Sequence, residues 1–288
     1  MKIVKNSIYG KNFKLSDALL KFILFFSFFI VSSIFLFFIF HIFKNGLLCL
    51  NFKLINNIDN GVQKGILPSI INTFYVVILT LIIATPIGLG TAIYITQYKK
   101  QGKLSKFISF STNILASVPS ILIGLFGYSI FCFGFGLGSS ILAGCLTVSC
   151  CVLPNIIETV KESLLAVQSS YKKAALALGA TKFKVIFGLI IPNALPGILT
   201  ALILSTGKII GESAALLLTI GAANRLPQNI LGHIFNSGQT LTLNLYYTAA
   251  NANSKNTIGI CYAISIILLL ISLTLNLLTK LVGLVSKK

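Results

Sequence analysis

The chain of 288 residues is 56% hydrophobic and 10% charged, with a mean hydropathy of +0.94 and a formal net charge of +18. An ordinary soluble domain carries about 25% charged residues, so this composition excludes a water-soluble enzyme or binding module and marks a polytopic membrane protein. Nucleic acid is excluded as a partner, because the lysines fall between apolar spans and form no stripe interleaved with aromatics.

Six stretches reach the roughly 20 apolar residues that a bilayer core about 30 Å thick requires. The first, Phe22 to Phe43, is longer than the apolar core of a signal peptide, and no small-residue cleavage site follows in FHIFKNGLLCLN. It is read as a retained helix. The second, Ile66 to Ile95, is interrupted by Pro68 and Pro86. The third runs from Phe107 to Phe133, contains Pro119, and is followed by the turn FGFGLGSS. The fourth covers Ser139 to Ile157, the fifth Gly197 to Ile220 after the apolar approach Val185 to Ile191, and the sixth Ile258 to Leu278. The expected fold is therefore all-α, with six transmembrane helices.

Positive residues accumulate in short cytoplasmic loops. Of the 23 Lys and Arg, 17 lie in 1–21, 99–106, 158–184 and 279–288, which places both termini in the cytoplasm. The same lysines suit anionic lipid at the inner leaflet. The six cysteines form no C-x-x-C pair and act as small apolar side chains, with a Cys49–Cys132 pairing left open. His41 and His233 lack a neighbouring carboxylate or cysteine and are read as polar interfacial residues, so neither a metal site nor a catalytic triad is expected. GLG at Gly88–Gly90 and GLFG at Gly124–Gly127 are read as small-residue packing sites, and the FGFGLGSS turn as a close meeting of two helices. None of the three Gly-Lys pairs, at Lys11, Lys103 and Lys208, continues as a Walker A loop, so the chain is not expected to hydrolyse ATP.

One pair of charges falls inside a span. Lys208 and Glu212, in STGKIIGESAALLLTIG, stand four residues apart near the expected bilayer centre. An ionised residue there costs about 2.5–3.5 kcal/mol on insertion scales. On one continuous helix they would share a face and neutralise each other. Two readings stay open: an ion pair that fixes helix packing, or a polar path for an anion, with Lys208 attracting it and Glu212 preventing overly tight binding.

The segment SYKKAALALGATKFKVIFGLIIPNALPGI, Ser170 to Ile198, reads as a short amphipathic helix ending at Gly179 and a second helix from Thr181 to Pro192. Ala174, Ala175 and Gly179, followed by LIIP at Leu189–Pro192, resemble the cytoplasmic E-A-A motif of bacterial ABC importer permeases, with Lys173 in place of the usual Glu. GILPSIINTFYVVILTLIIATPIGLGTAIYITQY, SVPSILIGLFG, LPNIIETVKESLLAVQSSYKKAALALGA and GESAALLLTIG together are similar to the phosphate-specific permease pair. GESAALLLTIG, with Asn276 in the last span, is more like the A-type subunit.

The resemblance implies a MetI-like ABC permease core over 66–282, preceded by a cytoplasmic N-terminus, first helix and outer loop (1–65) and followed by a basic tail (283–288). It implies a multi-pass protein of the bacterial cytoplasmic membrane that translocates inorganic phosphate. The implied partners are a sister permease, two ATP-binding subunits that hold ATP and Mg, and an extracytoplasmic phosphate-binding protein. Tyr171, Ala174, Ala175, Leu178 and Gly179, in the loop 158–184, would dock the ATPase, and Lys208, Glu212 and Ser213 would line the path. Pro86, Pro119, Pro192 and Pro196 would supply helix breaks or hinges. The chain itself would bind no cofactor. An ABC permease for molybdate or sulfate, an ion-coupled secondary carrier and a membrane sensor are the competing readings.

Overall fold

The computed structural model describes residues 14–51, 54–55, 65–98, 102–224, 226–227, 229, 232–252 and 254–285. The basic N-terminal segment, Lys53, Asp59, Lys64, Arg225 and the last three residues lie outside them. The described residues form eleven α-helices joined by short turns. They are α1 (Lys14–Gly46), α2 (Leu67–Ile93), α3 (Lys103–Ser117), α4 (Ser120–Gly127), α5 (Ile141–Ala166), α6 (Ser169–Ala177), α7 (Lys182–Val185), α8 (Ile191–Gly211), α9 (Ala214–Thr219), α10 (Leu241–Ala250) and α11 (Lys255–Val285). Wider π-turns extend α2 to Tyr98 and α4 to Gly134, and fuse α7 to α8 through Ile186–Ile190.

Five of these helices are long and apolar enough to cross a membrane, and the bent pair α3–α4 makes a sixth if it crosses once. The expected third span is thus not straight: its two arms meet at 106°. Pro119 is the cause, since it lacks an N–H and forces the preceding residue out of helical geometry. Val118 is accordingly extended, at φ −73° and ψ 129°. The fifth span is also displaced from the expected Gly197–Ile220. It occupies Lys182–Gly211 as one continuous helix, and Pro192, expected to end a helix, sits in its interior turns. The fourth helix continues beyond Ile157 to Ala166, so the loop expected at 158–184 opens with two further turns of α5, where Glu158 and Lys161 pair at 2.9 Å.

Helix α5 forms the centre. Val148, Val152 and Ile156 are fully buried, and they belong to one cluster with Val76 and Ala84 of α2 and Ala201 and Ile209 of α8. Lipid tails are as apolar as leucine, so close packing and hydrogen bonds, rather than the hydrophobic effect, hold such helices together. Glycine is what allows the approach. A Cβ on Gly88 would stand 2.6 Å from Ile156 Cγ2, one on Gly124 2.9 Å from Ala215 Cα, and one on Gly127 2.8 Å from Thr147 Cβ. Gly90 faces open space. The FGFGLGSS turn differs from expectation: Gly136 and Gly138 adopt φ of +68° and +60° with nothing near, so they shape a turn and admit no close neighbour.

At the end of the bundle opposite the lysine-rich loops, a hydrogen-bond network ties Asn224, His233, Gln239 and the first turn of α10 to the first turns of α2. His233 is 2% exposed, and its Nε2–H donates to Asn72 Oδ1 at 2.7 Å, while the Asn72 amide donates to the Gln239 carbonyl at 3.3 Å. The Tyr75 ring meets the imidazole edge-on at 5.5 Å. Thr73 Oγ1 accepts from the Leu241 N–H at 2.9 Å, Asn244 Nδ2 donates to Ser69 Oγ at 2.9 Å, and Ser69 Oγ donates to Asn224 Oδ1 at 3.2 Å. His233 is therefore a buried structural donor, not an interfacial residue. His41 joins α1 to α11 through Tyr262 OH at 3.2 Å. The pairing left open for Cys49 and Cys132 is not formed; both are free, and the Cys132 thiol donates to the Thr219 carbonyl at 3.5 Å.

Two outcomes follow from this packing. Gly127→Val overpacks the α4–α5 contact and should cost about 1–3 kcal/mol, lowering the melting temperature of the detergent-purified protein, whereas Gly90→Ala should leave it unchanged; equal effects would contradict the packing role. Burial holds the His233 imidazole below the usual histidine range, so the unfolded chain binds the extra proton first as the pH falls. Stability should be level above about pH 6.5, the unperturbed histidine value, and decline as the pH is lowered through it toward 5. His233→Gln, which keeps a donor but cannot charge, should flatten that profile in thermal melts.

Candidate functional site

The helical backbone breaks between α8 and α9. Helix α8 stops at Gly211, and Glu212 is extended at φ −77° and ψ 121°. Ser213 then starts the six-residue α9 without a side-chain cap bond. Irregular backbone at membrane depth survives only where protein covers it or a water-filled cavity lies beside it. Here part of the demand is met locally. Glu212 N–H donates to the Ile209 carbonyl at 3.2 Å, Glu212 Oε1 accepts from the Ala215 N–H at 3.1 Å, and the Glu212 carbonyl accepts from Thr242 Oγ1 at 3.2 Å.

The pairing of Lys208 with Glu212 expected from their spacing is not made. That spacing brings side chains together only on an unbroken helix, and Gly211 ends this one between them. Lys208 lies in the last turn of α8, where a cation suits the negative end of the helix dipole. Its Nζ donates to the Cys151 carbonyl of α5 at 3.0 Å, and its side chain is otherwise exposed. Among the described residues the ion pair formed is Lys161–Glu158. The break thus separates a solvent-accessible ammonium from a carboxylate that is occupied in capping α9.

Cys151 stands three residues before Pro154, inside α5. A proline in a helix interior removes one ladder donor and crowds the carbonyl four residues back, here that of Cys150, next to the carbonyl that receives Lys208. Pro154 was absent from the expected hinges, although LPN in the middle of an apolar run was visible in the sequence. Of the expected ones, Pro86 lies inside α2, Pro119 at the 106° bend, Pro192 in the first turn of α8 and Pro196 inside α8.

At the lysine-rich end, α6 projects from the bundle with no buried residue. Tyr171 is 52% and Leu178 89% exposed; Ala174 is exposed and Ala175 half-buried against the core. The helix ends in a Schellman motif. Gly179, at φ +82°, donates to the Leu176 carbonyl at 3.0 Å, and Ala180 donates to the Ala175 carbonyl at 3.1 Å. Thr181 then caps α7 by accepting from the Lys184 N–H at 3.4 Å. The result is a rigid, exposed corner of small and apolar residues, suited to seat a protein partner.

The sequence profile described as "binding-protein-dependent transport system inner membrane component" matches residues 84–283. A probable ABC transporter permease of Bacillus subtilis, YqgI, is 30% identical over 258 residues, covering 84% of this chain and 86% of that protein. A phosphate transport system permease PstA homolog of Mycoplasma pneumoniae is 36% identical over 192 residues, 65% of this chain and 29% of that longer protein. Among solved structures, the MetNI methionine ABC transporter in an inward-facing conformation matches with a TM-score of 0.61 at 18% identity, covering 78% of this chain and 95% of that one. Taken with the bundle of apolar helices and the exposed corner at α6, these matches show that the chain belongs to the binding-protein-dependent transport system inner membrane component family and is the multi-pass permease subunit of an ABC transporter.

Proposed function

We propose that this permease imports inorganic phosphate across the bacterial cytoplasmic membrane, with its lysine-rich end in the cytoplasm. The observation that carries the reading is Lys208: an ammonium at a break in a membrane helix, held by a backbone carbonyl and not by a carboxylate. Phosphate near neutral pH bears one to two negative charges and needs such a centre along its route. A carbonyl is a neutral, easily exchanged partner, so an arriving anion can draw the ammonium to itself and release it again, as passage requires. Glu212, fixed on the α9 backbone, supplies the negative charge that limits residence, and the Ser213 hydroxyl stands beside it. The phosphate permeases among the relatives support the substrate. Lysine is a point charge and discriminates poorly among tetrahedral oxyanions, so sulfate and molybdate are the competitors to test.

In this reading the chain forms half of the path with a sister permease. An extracytoplasmic phosphate-binding protein delivers the anion, and α6 seats in one of two ATP-binding subunits that carry ATP and Mg. Pro86, Pro119, Pro192 and Pro196, with Pro154, provide the flexible points for alternating access.

Uptake of labelled phosphate by the complete transporter in liposomes checks the path. Lys208→Gln should lower it at least tenfold with subunit assembly intact, Lys208→Arg should retain most of it, and, because the binding protein and not the lysine selects the anion, excess sulfate or molybdate should not compete. Normal flux in Lys208→Gln would leave the lysine a packing role only. Gly179→Asp forces a side chain into the left-handed region, at about 1–2 kcal/mol, and should detach the ATP-binding subunits or uncouple hydrolysis from uptake. Unchanged co-purification and coupling in that variant would remove the docking role from α6.

A further inference from the structure

Helix α6 is joined to the rest of the chain at both of its ends by the hairpin it belongs to. Across its length, among the described residues, a single side-chain hydrogen bond leaves it for an element distant in sequence: Lys172 Nζ donates to Gln97 Oε1 at 2.8 Å. Gln97 sits in the π-turn Tyr94–Tyr98 that ends α2. Its amide is oriented from the other side, because Gln97 Nε2 donates to Thr96 Oγ1 at 3.4 Å and the buried Thr96 hydroxyl donates to the Ala92 carbonyl at 2.8 Å. A continuous polar chain therefore runs from the exposed helix into the backbone of α2. Beside it lies a cleft of about 140 Å³ between Thr96, Gln97, Gln168, Ser169, Lys172 and Ile190, which leaves the two helices room to shift against each other.

Helix α2 with its π-turn is 32 residues long, roughly 48 Å at 1.5 Å per residue. Its far end carries Ser69, Asn72 and Thr73, which bond Asn224, His233 and Gln239 and the first turn of α10. One helix thus touches the exposed corner at one membrane face and the buried network at the other. π-turns are rare and recur at functional sites, and the charge-assisted bond to Gln97 is of the stronger class.

We propose that the Lys172–Gln97 hydrogen bond is the contact through which displacement of α6 is passed to α2, and from there to Asn224, His233 and Gln239, bonded at its opposite end. Lys172 is then a positioning residue for the ATP-driven step, distinct from the residues that seat the ATPase. The inference rests on the docking role of α6 given above.

The test is the number of phosphate ions imported per ATP hydrolysed by the complete transporter in liposomes, with subunit assembly followed by gel filtration. Lys172→Met and Gln97→Leu should each lower the ratio at least threefold while assembly and the ATPase rate stay near wild type. The double variant should be no worse than either one, and Lys172→Arg should restore the ratio. A merely structural role would lower assembly and both activities together without changing the ratio. Should Lys172→Met fail to assemble, Gln97→Leu on the other helix carries the test alone. A wild-type ratio in assembled Gln97→Leu overturns the proposal, as does a fall in one variant without the other. Failure of the underlying docking role appears elsewhere, as unchanged co-purification and coupling in Gly179→Asp.

Discussion

A bilayer offers no water to an unpaired backbone N–H or carbonyl, and this constraint organises the whole chain. Wherever a helix stops within the bundle, a nearby group takes over. The Ser140 hydroxyl accepts from Ala143 at the start of α5, Glu212 caps α9, and the Thr240 hydroxyl accepts from Leu243 at the start of α10. Main-chain bonds join the interrupted segments to each other, Ser140 N–H to the Thr219 carbonyl at 3.1 Å and Gly238 N–H to the Ile220 carbonyl at 3.1 Å. Hydroxyl and carboxylate groups at these breaks thus take up main-chain groups that the helices leave over.

The glycines serve the complementary need. Once helices cannot rely on expelling water, contact distance decides how well they hold; Gly88 and Gly127 shorten it against α5, and Gly124 against α9. The α3–α4 bend is set by Pro119, but its second arm is fixed by Gly124 against Ala215 and Gly127 against Thr147. Bend and broken helix are thereby packed together: α4 leans on α9, and α9 follows from the break that leaves Lys208 accessible.

What the sequence disclosed is what local chemistry controls. Span number follows from apolar length, and the Gly179 corner follows from a glycine at the end of a short amphipathic run. The Lys208–Glu212 pair was misjudged because the spacing argument assumed a continuous helix, although Gly211 between them marked a possible stop. The size of the bend at Pro119 depends on partners almost a hundred residues away, so no window around the proline contains it. His233 and Asn72 are separated by 161 positions, and a lone histidine in a loop gives no local sign of the amide that will receive its proton.

Helix α1 stands apart from all this. Its most apolar window is wholly unburied, every residue from Lys21 to Val31 is exposed, and cover gathers from Ile39 to Gly46, where His41 and Gly46 lie against Tyr262 of α11. The helix is thus pinned at one tip and free along its shaft. At 33 residues, roughly 50 Å, its polar ends reach past a hydrocarbon layer of about 30 Å, which the apolar stretch Phe22–Phe43 is long enough to cross. With its contacts among the described residues gathered near that tip, the apolar shaft is left for surrounding lipid to cover.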